Sequence, residues 1–530
     1  MISHLDSNSP QPWERFKKHF FWDAQSNFCL DISRINFDDS FSGKMKEPLE
    51  SAISFMADLE NGIIANPDEK RMVGHYWLRN SEKSPNAEIK SAIDGTLKKI
   101  IDFVARVHSG EIRGETGKIF KAVLVMGIGG SALGPQFVAN ALGSKNDKLK
   151  PYFIDNTDPE GIERTVAALP SLEETVVLVI SKSGSTPETR NGMLEVKAKY
   201  SAAKINHAGH FVAITGEGSQ LDKVAVAEKW LARFPMWDWV GGRTSEFSAV
   251  GLIPAALQGV DISEMLRGAS YMDDLTRTKE PSKNPAALLS MAIYAATDGK
   301  GSKDMVVLPY RDKLELFSRY LQQLIMESLG KESDLSGKIV HQGISVYGNK
   351  GSTDQHAFVQ QLREGIPNFF AVFVEALRDS VGSGLQVEPG ITSSDFLNGF
   401  YLGTRKALSD NGRGSITVTI QDTSPFNVGM LIALFERFVG IYARLINVNA
   451  YHQPGVEAGK KAAAEILTIQ GEILNSLRGN AAGMTVEELA SKIKKDPESI
   501  FKITEHLLAS GRVGCDAKAG IFSRRYALNG

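Results

Sequence analysis

The chain has 530 residues, enough for two or three domains with separate cores. Its composition, 42% hydrophobic and 23% charged with a net charge of −2, describes a soluble globular protein and excludes a global basic field for nucleic acid or membrane surfaces. The only cysteines, Cys29 and Cys515, supply neither a disulfide framework nor a zinc-ligand cluster, and no run approaches the ~18 apolar residues of a membrane span. Met1 to Pro12 is polar and acidic without an apolar signal core, so a reducing cytoplasm is the expected compartment.

Residues 13–110 read as mainly helical, with Trp13, Phe16, Phe20, Phe21 and Trp22 as packing anchors. From residue 121 the pattern alternates strand and helix, with strands expected near 122–127, 151–155, 175–181 and 210–215. This is the pattern of a doubly wound parallel sheet. The first strand is followed by Gly127-Ile128-Gly129-Gly130-Ser131-Ala132-Leu133-Gly134. Taken alone, Gly127-x-Gly129-x-x-Ala132 matches a dinucleotide fingerprint, with Asp155 as the ribose acid. Two features oppose that reading. Ser131 puts a hydroxyl where the helix begins, and a second anion loop follows nearby, which a dinucleotide site does not need.

That second loop is the most informative stretch. The apolar run Thr175–Ile180 reads as a buried strand, and Pro187 suits a first helical turn. Between them lies Ser181-Lys182-Ser183-Gly184-Ser185-Thr186. Hydroxyls and free amides at the start of a helix suit a phosphate monoester. Further on, Gly241-Gly242-Arg243-Thr244-Ser245 holds an arginine in a tight turn, where it can meet an anion. The polar run Thr276–Lys283 reads as a linker or crossover.

A second α/β set is expected after it. Its strands fall near 304–309, 338–341, 368–374 and 415–420, and its helices near 313–329, 355–364, 393–410 and 425–444. In Gln322–Ser328, Gln323 and Glu327 are four apart and share a helix face. An acid beside an apolar stretch is a candidate general base, although a solvated face explains a single Glu as well. His356 opens a helix in Asp354–Phe358, and Tyr451–Lys460 opens a long helix reaching Ile473. Beyond about 476, two short helices and a hairpin over Val513–Leu528 form a winged-helix pattern. Its basic residues outnumber its acids only slightly, which points to a packing appendage and not to a nucleic-acid module.

Gly127–Pro135, Ser181–Thr189, Gly241–Ser248, Tyr320–Lys331, Gln355–Gln360 and Gln453–Lys460, in this order, resemble the glucose-6-phosphate isomerase (phosphoglucose isomerase) family. The resemblance spans roughly 120–465. It implies two doubly wound parallel-sheet sugar-isomerase (SIS-type) α/β domains with helical additions. The expected division is 1–115 helical, 116–275 first domain, 276–475 second domain and 476–530 winged-helix-like tail. It implies cofactor-free interconversion of glucose 6-phosphate and fructose 6-phosphate, and no His/Cys/Asp cluster has the spacing of a metal site.

By position, Ser131, Ser181, Ser183 and Thr186 match phosphate-binding hydroxyls, with the Lys182 backbone helping. Glu327 matches the base that moves a proton between C1 and C2, and Arg243 the cation beside the enediolate. His356 and Lys460 match the pair linked to ring opening, and Gly130, Gly242, Gln323 and Gln453 match substrate contacts. Thr244 departs from the pattern, which usually has an aromatic there. The resemblance also implies a homodimer in which the histidine matching His356 enters the partner's site. A non-catalytic sugar-phosphate sensor of the same fold and an NAD-dependent dehydrogenase are the competing readings. A sensor could lose Glu327, His356 or Arg243, and this chain keeps all three.

Overall fold

The computed structural model describes residues 10–379, 384–516 and 520–529, without the side chains of residues 10, 11, 456–458 and 460. Two compact units are present, Met1–His452 and Gln453–Gly530.

Helix Pro10–Lys18 is followed by a hairpin of β1 (Phe20–Asp23) and β2 (Phe28–Asp31), inside a region expected to be mainly helical. Asn27 turns the chain with a positive φ of 56°. Of the five aromatics expected as packing anchors, Trp13, Phe20 and Trp22 are exposed, and only Phe16 and Phe21 are partly buried. Long helices Asp39–Glu60 and Ala87–His108 follow, each capped by an asparagine or aspartate side chain, Asp38 and Asn86.

Next come β3 (Ala122–Met126), β4 (Lys150–Ile154), β5 (Thr175–Ile180), β6 (Phe211–Thr215) and β7 (Ala232–Pro235). They form one parallel sheet in the order β4-β3-β5-β6-β7. The four expected strands are present. The edge strand β7 is additional: Ala-Arg-Phe-Pro is too short and mixed to show a period.

The second set holds β8 (Asp304–Pro309), β9 (Lys331–Ser333), β10 (Ile339–Gln342), β11 (Val346–Tyr347), β12 (Phe369–Ala376), β13 (Gln386–Glu388), β14 (Ile391–Thr392) and β15 (Ser415–Ile420). The sheet order is β1-β2-β15-β12-β8-β11. It is parallel from β11 to β15, and the hairpin β1–β2 adds an antiparallel edge. The expected sheet strand near 338–341 is displaced. It is β10, which pairs with β9 in a separate hairpin, and its place in the sheet is taken by β11. Ile339 is 56% exposed, so this apolar pair lies on a solvent-facing ribbon.

In both sheets the first parallel strand lies between the second and the third. Such an order reverses its winding beside the first strand, and ligands bind outside the strand ends at that reversal. In the first sheet the reversal lies between β3 and β5, whose following loops are the two glycine- and hydroxyl-rich segments.

Helix Pro425–Leu445 is long and apolar enough to cross a membrane, but it is a core helix packed on Ile262–Thr276, Pro285–Thr297 and Asp39–Glu60. It carries Glu436 and Arg437 into a buried ionic network. Asp273 accepts from Arg79 Nε at 2.7 Å and from Arg437 Nε at 2.8 Å. Arg437 also pairs with Glu60, and Arg79 with Glu436. The Arg437 guanidinium stacks 4.1 Å from the Tyr76 ring centroid.

The second unit comprises helices Pro454–Leu477, Val486–Ile493 and Pro497–Ala509 and the antiparallel pair β16 (Val513–Cys515) and β17 (Tyr526–Leu528). Ile473, Leu489, Ile500, Leu507 and Tyr526 are its core. Residues 517–519 of the expected hairpin lie outside the described residues.

Candidate active site

Three loops and one helical turn build the site. After β3, Gly129–Ser131 forms a short 3-10 turn, with Gly129 at a φ of 59°. Gly130 is packed against Gly242: a Cβ there would stand 1.9 Å from the Gly242 carbonyl oxygen. Any side chain at 130 would therefore part these two loops. Asp155, the acid of the dinucleotide reading, accepts from Gln136 Nε2 at 2.8 Å.

After β5, the hydroxyl loop leads into helix Pro187–Ala202, with Thr186 at its N-cap position. The Thr186 hydroxyl makes no capping bond, which leaves the amides of the first turn to a ligand. Ser181 is buried; its hydroxyl accepts from the Gly184 amide at 3.0 Å and donates to Thr186 Oγ1 at 3.3 Å. Ser183 is exposed and lies 2.8 Å from the Ser185 hydroxyl. Gly184 has a φ of 75°. The Lys182 side chain leaves this loop. Its ammonium donates to the carbonyls of Asp238 and Val240 at 3.2 and 3.4 Å and pairs with the Asp238 carboxylate at 3.2 Å. It thus ties the hydroxyl loop to the segment just before Gly241. Burial lowers its pKa, and Asp238 opposes that shift.

Arg243 stands in the 3-10 turn Gly242–Thr244. Its side chain is 5% exposed and is held from several sides. Nε donates to Ser328 Oγ at 2.7 Å, Nη1 to Glu327 Oε2 at 3.3 Å, and Nη2 to the carbonyls of His452, at 3.2 Å, and Ala450. Burial lowers its pKa, partly offset by the Glu327 carboxylate. Thr244 is buried, and its hydroxyl donates to the Gly241 carbonyl at 3.3 Å, closing the turn that carries Arg243.

The expected helix over 313–329 is broken into three pieces. A 3-10 turn at Asp312–Leu314 precedes helix Phe317–Leu321, which widens into a π turn over Gln322–Glu327. A residue inserted in this way re-aims the side chains that follow, and such turns concentrate at functional sites. Gln323 Nε2 donates to Glu327 Oε2 at 3.3 Å, so the shared face survives the distortion. A Cβ on Gly129 would stand 3.0 Å from Gln323 Nε2, which places Gln323 against the first loop. The Glu327 side chain is 27% exposed. Gln323, Glu327, Arg243, Gly130 and Gly242 are therefore brought together, with Ser131 in the same turn as Gly130.

His356 ends the 3-10 turn Thr353–His356. It is exposed, and its ring makes no hydrogen bond or ion pair within the described residues. Gln453 and Lys460 belong to the second unit, where Gln453 precedes Pro454 at the start of helix Pro454–Leu477. The Lys460 side chain lies outside the described residues.

Sequence reasoning missed the support around Arg243. Ser328 and the carbonyls of Ala450 and His452 orient the guanidinium, and main-chain acceptors leave no trace in residue type. It also missed the turn Asn66–Arg71. Asn449 Nδ2 donates to Asn66 Oδ1 at 3.0 Å and to Asp68 Oδ2 at 2.5 Å, and Asn66 Nδ2 donates to the Tyr451 carbonyl at 3.2 Å. This lacing fixes the stretch that holds Arg243. The Asn-Pro-Asp start of that turn was its available signal. Among the described residues, no group of three or more His, Cys, Asp or Glu is placed to hold a metal ion.

The phosphoglucose isomerase family model matches residues 31–397 and 400–480. A glucose-6-phosphate isomerase of Geobacter sulfurreducens is 55% identical over 507 residues, covering 95% of this chain and 96% of that protein. One of Geotalea daltonii is 54% identical over 529 residues, covering 99% and 100%. A crystal structure of a glucose-6-phosphate isomerase from Chlamydia trachomatis superposes with a TM-score of 0.77 at 26% identity, covering 87% of this chain and 91% of that one.

Proposed function

The chain belongs to the phosphoglucose isomerase family, and we propose that it interconverts glucose 6-phosphate and fructose 6-phosphate. The observation that carries this reading is the buried Arg243 guanidinium fixed 3.3 Å from the partly exposed Glu327 carboxylate.

The phosphate is assigned to Ser181, Ser183 and Thr186 and the Lys182 amide, at the start of helix Pro187–Ala202, with Ser131 contributing from the first loop. Helix-start amides and hydroxyls suit a dianion. Gly130, Gly242, Gln323 and Gln453 are the further sugar contacts. The ring must open first, which takes a proton from O1 and delivers one to O5; His356 and Lys460 are assigned to this step. Glu327 then removes the C2 proton of the open aldose, which the adjacent carbonyl acidifies. The cis-enediolate so formed carries negative charge, and Arg243 stabilises it electrostatically. A proton passes from O2 to O1 of the enediolate, and the Glu327 carboxyl returns the carbon-bound proton to C1, completing the ketose. The reaction is redox-neutral overall, and the proton that leaves one carbon is replaced on its neighbour.

Among the described residues the exposed His356 ring makes no hydrogen bond or ion pair. The homodimer that the family resemblance implies, in which this histidine serves the partner's site, and a cytoplasmic location are part of the proposal. Purified protein supplied with fructose 6-phosphate should form glucose 6-phosphate, read by a coupled assay. A folded protein that forms none contradicts the assignment and favours a sensor.

A further inference from the structure

We propose that Lys331 is a positioning residue for this reaction: its buried ammonium, bonded to the Glu327 main-chain carbonyl, fixes the helix end from which the Glu327 carboxylate acts. The proposal rests on the reading of Glu327 as the proton-transfer group.

The Glu327 carbonyl lies in the last turn before the chain leaves the helix at Gly330. Carbonyls there lose their intrahelical partners. Lys331 opens β9, and its Nζ donates back to that carbonyl. The side chain is 6% exposed, so this lysine is not a solvated one beside the site. A lysine at a helix end satisfies an orphan carbonyl and suits the negative end of the helix dipole. Here it also sets the angle at which a π turn delivers its final residue. Fixing that residue matters, because small misplacements of a reacting group are costly.

The charge matters as well. Four titratable groups from four segments interact electrostatically with the ammonium: Arg243 from the turn Gly242–Thr244, Glu327 from the π turn, Asp68 from the turn Asn66–Arg71, and His452 from the segment after Asn449. Burial first, and then Arg243, lower the Lys331 pKa to about 7, while Glu327 and Asp68 oppose them. Below that value the ammonium adds positive charge beside the carboxylate and the guanidinium. Above it, the amine still reaches the carbonyl but that charge is gone. Activity that depends on Lys331 should therefore weaken as pH rises through its pKa. kcat/KM reports the free enzyme, where that value applies.

The test is kcat, KM and the pH profile of kcat/KM for wild type, Lys331→Met and Asp68→Asn, with fructose 6-phosphate as substrate. Lys331→Met should lower kcat by about tenfold or more and leave the affinity for a competitive phosphosugar within about twofold, since no phosphate contact is touched. Its kcat/KM profile should lack the basic limb that wild type shows. Asp68→Asn keeps Lys331 and removes a group that stabilises its charge, so the limb should move to lower pH. Lys331→Met with wild-type kcat and profile, or Asp68→Asn with an unmoved limb, overturns the proposal. Where Lys331→Met does not fold, Asp68→Asn decides alone. A folded wild-type chain without isomerase activity overturns the Glu327 reading itself, and this inference with it.

Discussion

Arg243 Nη1 meets Glu327 Oε2 at 3.3 Å while the neighbouring Arg243 Nε meets Ser328 Oγ at 2.7 Å. One guanidinium thus grips two consecutive residues of the distorted helix. Its remaining edge is held by the carbonyls of Ala450 and His452. A cation fixed in this way cannot swing toward solvent, so little reorganisation is needed when charge develops on a substrate.

Replacing both Ser183 and Thr186 by alanine should mainly weaken substrate binding. Ser183 is exposed and the Thr186 hydroxyl makes no capping bond at the start of the helix to which the phosphate is assigned. Each lost hydrogen bond to a charged group is worth ~1.5–3 kcal/mol. The affinity of a competitive phosphosugar inhibitor, measured by titration, should fall by about a hundredfold or more, roughly one factor of ten or more per lost bond. Unchanged affinity contradicts the phosphate assignment.

Asp273→Asn should destabilise the first unit without touching the site. Asp273 is fully buried and joins Arg79 to Arg437. Removing one partner of a buried ionic cluster leaves uncompensated charge and costs about 3–5 kcal/mol. A clear drop in thermal midpoint is expected, with kcat retained below the transition. An unchanged midpoint means that the network contributes little.

Glu327→Gln and His356→Ala should complement each other. Each homodimer alone should be nearly inactive. Mixed dimers should hold one site with both residues intact and one with both defects. Random pairing makes about half the dimers mixed, so activity should recover to roughly a quarter of wild type. Confirmed mixed dimers without recovery would show that each site is built from one chain.

The sequence made the parallel strands legible because β3, β5, β6 and β12 are largely apolar runs and β15 alternates Ile and Val with Ser and Thr. Two anion loops followed from glycine and hydroxyl placement, and the Gln323–Glu327 pairing from its spacing. What was hidden depended on contacts between distant segments. The β1–β2 hairpin finds its partner in β15, far along the chain. β10 carries an apolar pair, yet the short β11 takes the sheet edge beside β8. The π turn leaves the composition of 322–327 looking helical, because one extra residue per turn changes aim and not residue type. Lys331 was visible as a lysine, but its burial and its bond to the Glu327 carbonyl arise only in three dimensions.

The central claim is that the Glu327 carboxylate moves the proton between C1 and C2, and Glu327→Gln tests it most directly. The amide keeps the shape of the side chain and its place beside Arg243 and Gln323, but it cannot accept a proton as a base. Turnover of fructose 6-phosphate should be measured beside the affinity of a phosphosugar inhibitor. The account predicts a loss of ~10²-fold or more in kcat with inhibitor affinity largely intact. Near wild-type turnover in a folded Glu327→Gln protein would contradict it and remove Glu327 from the base role.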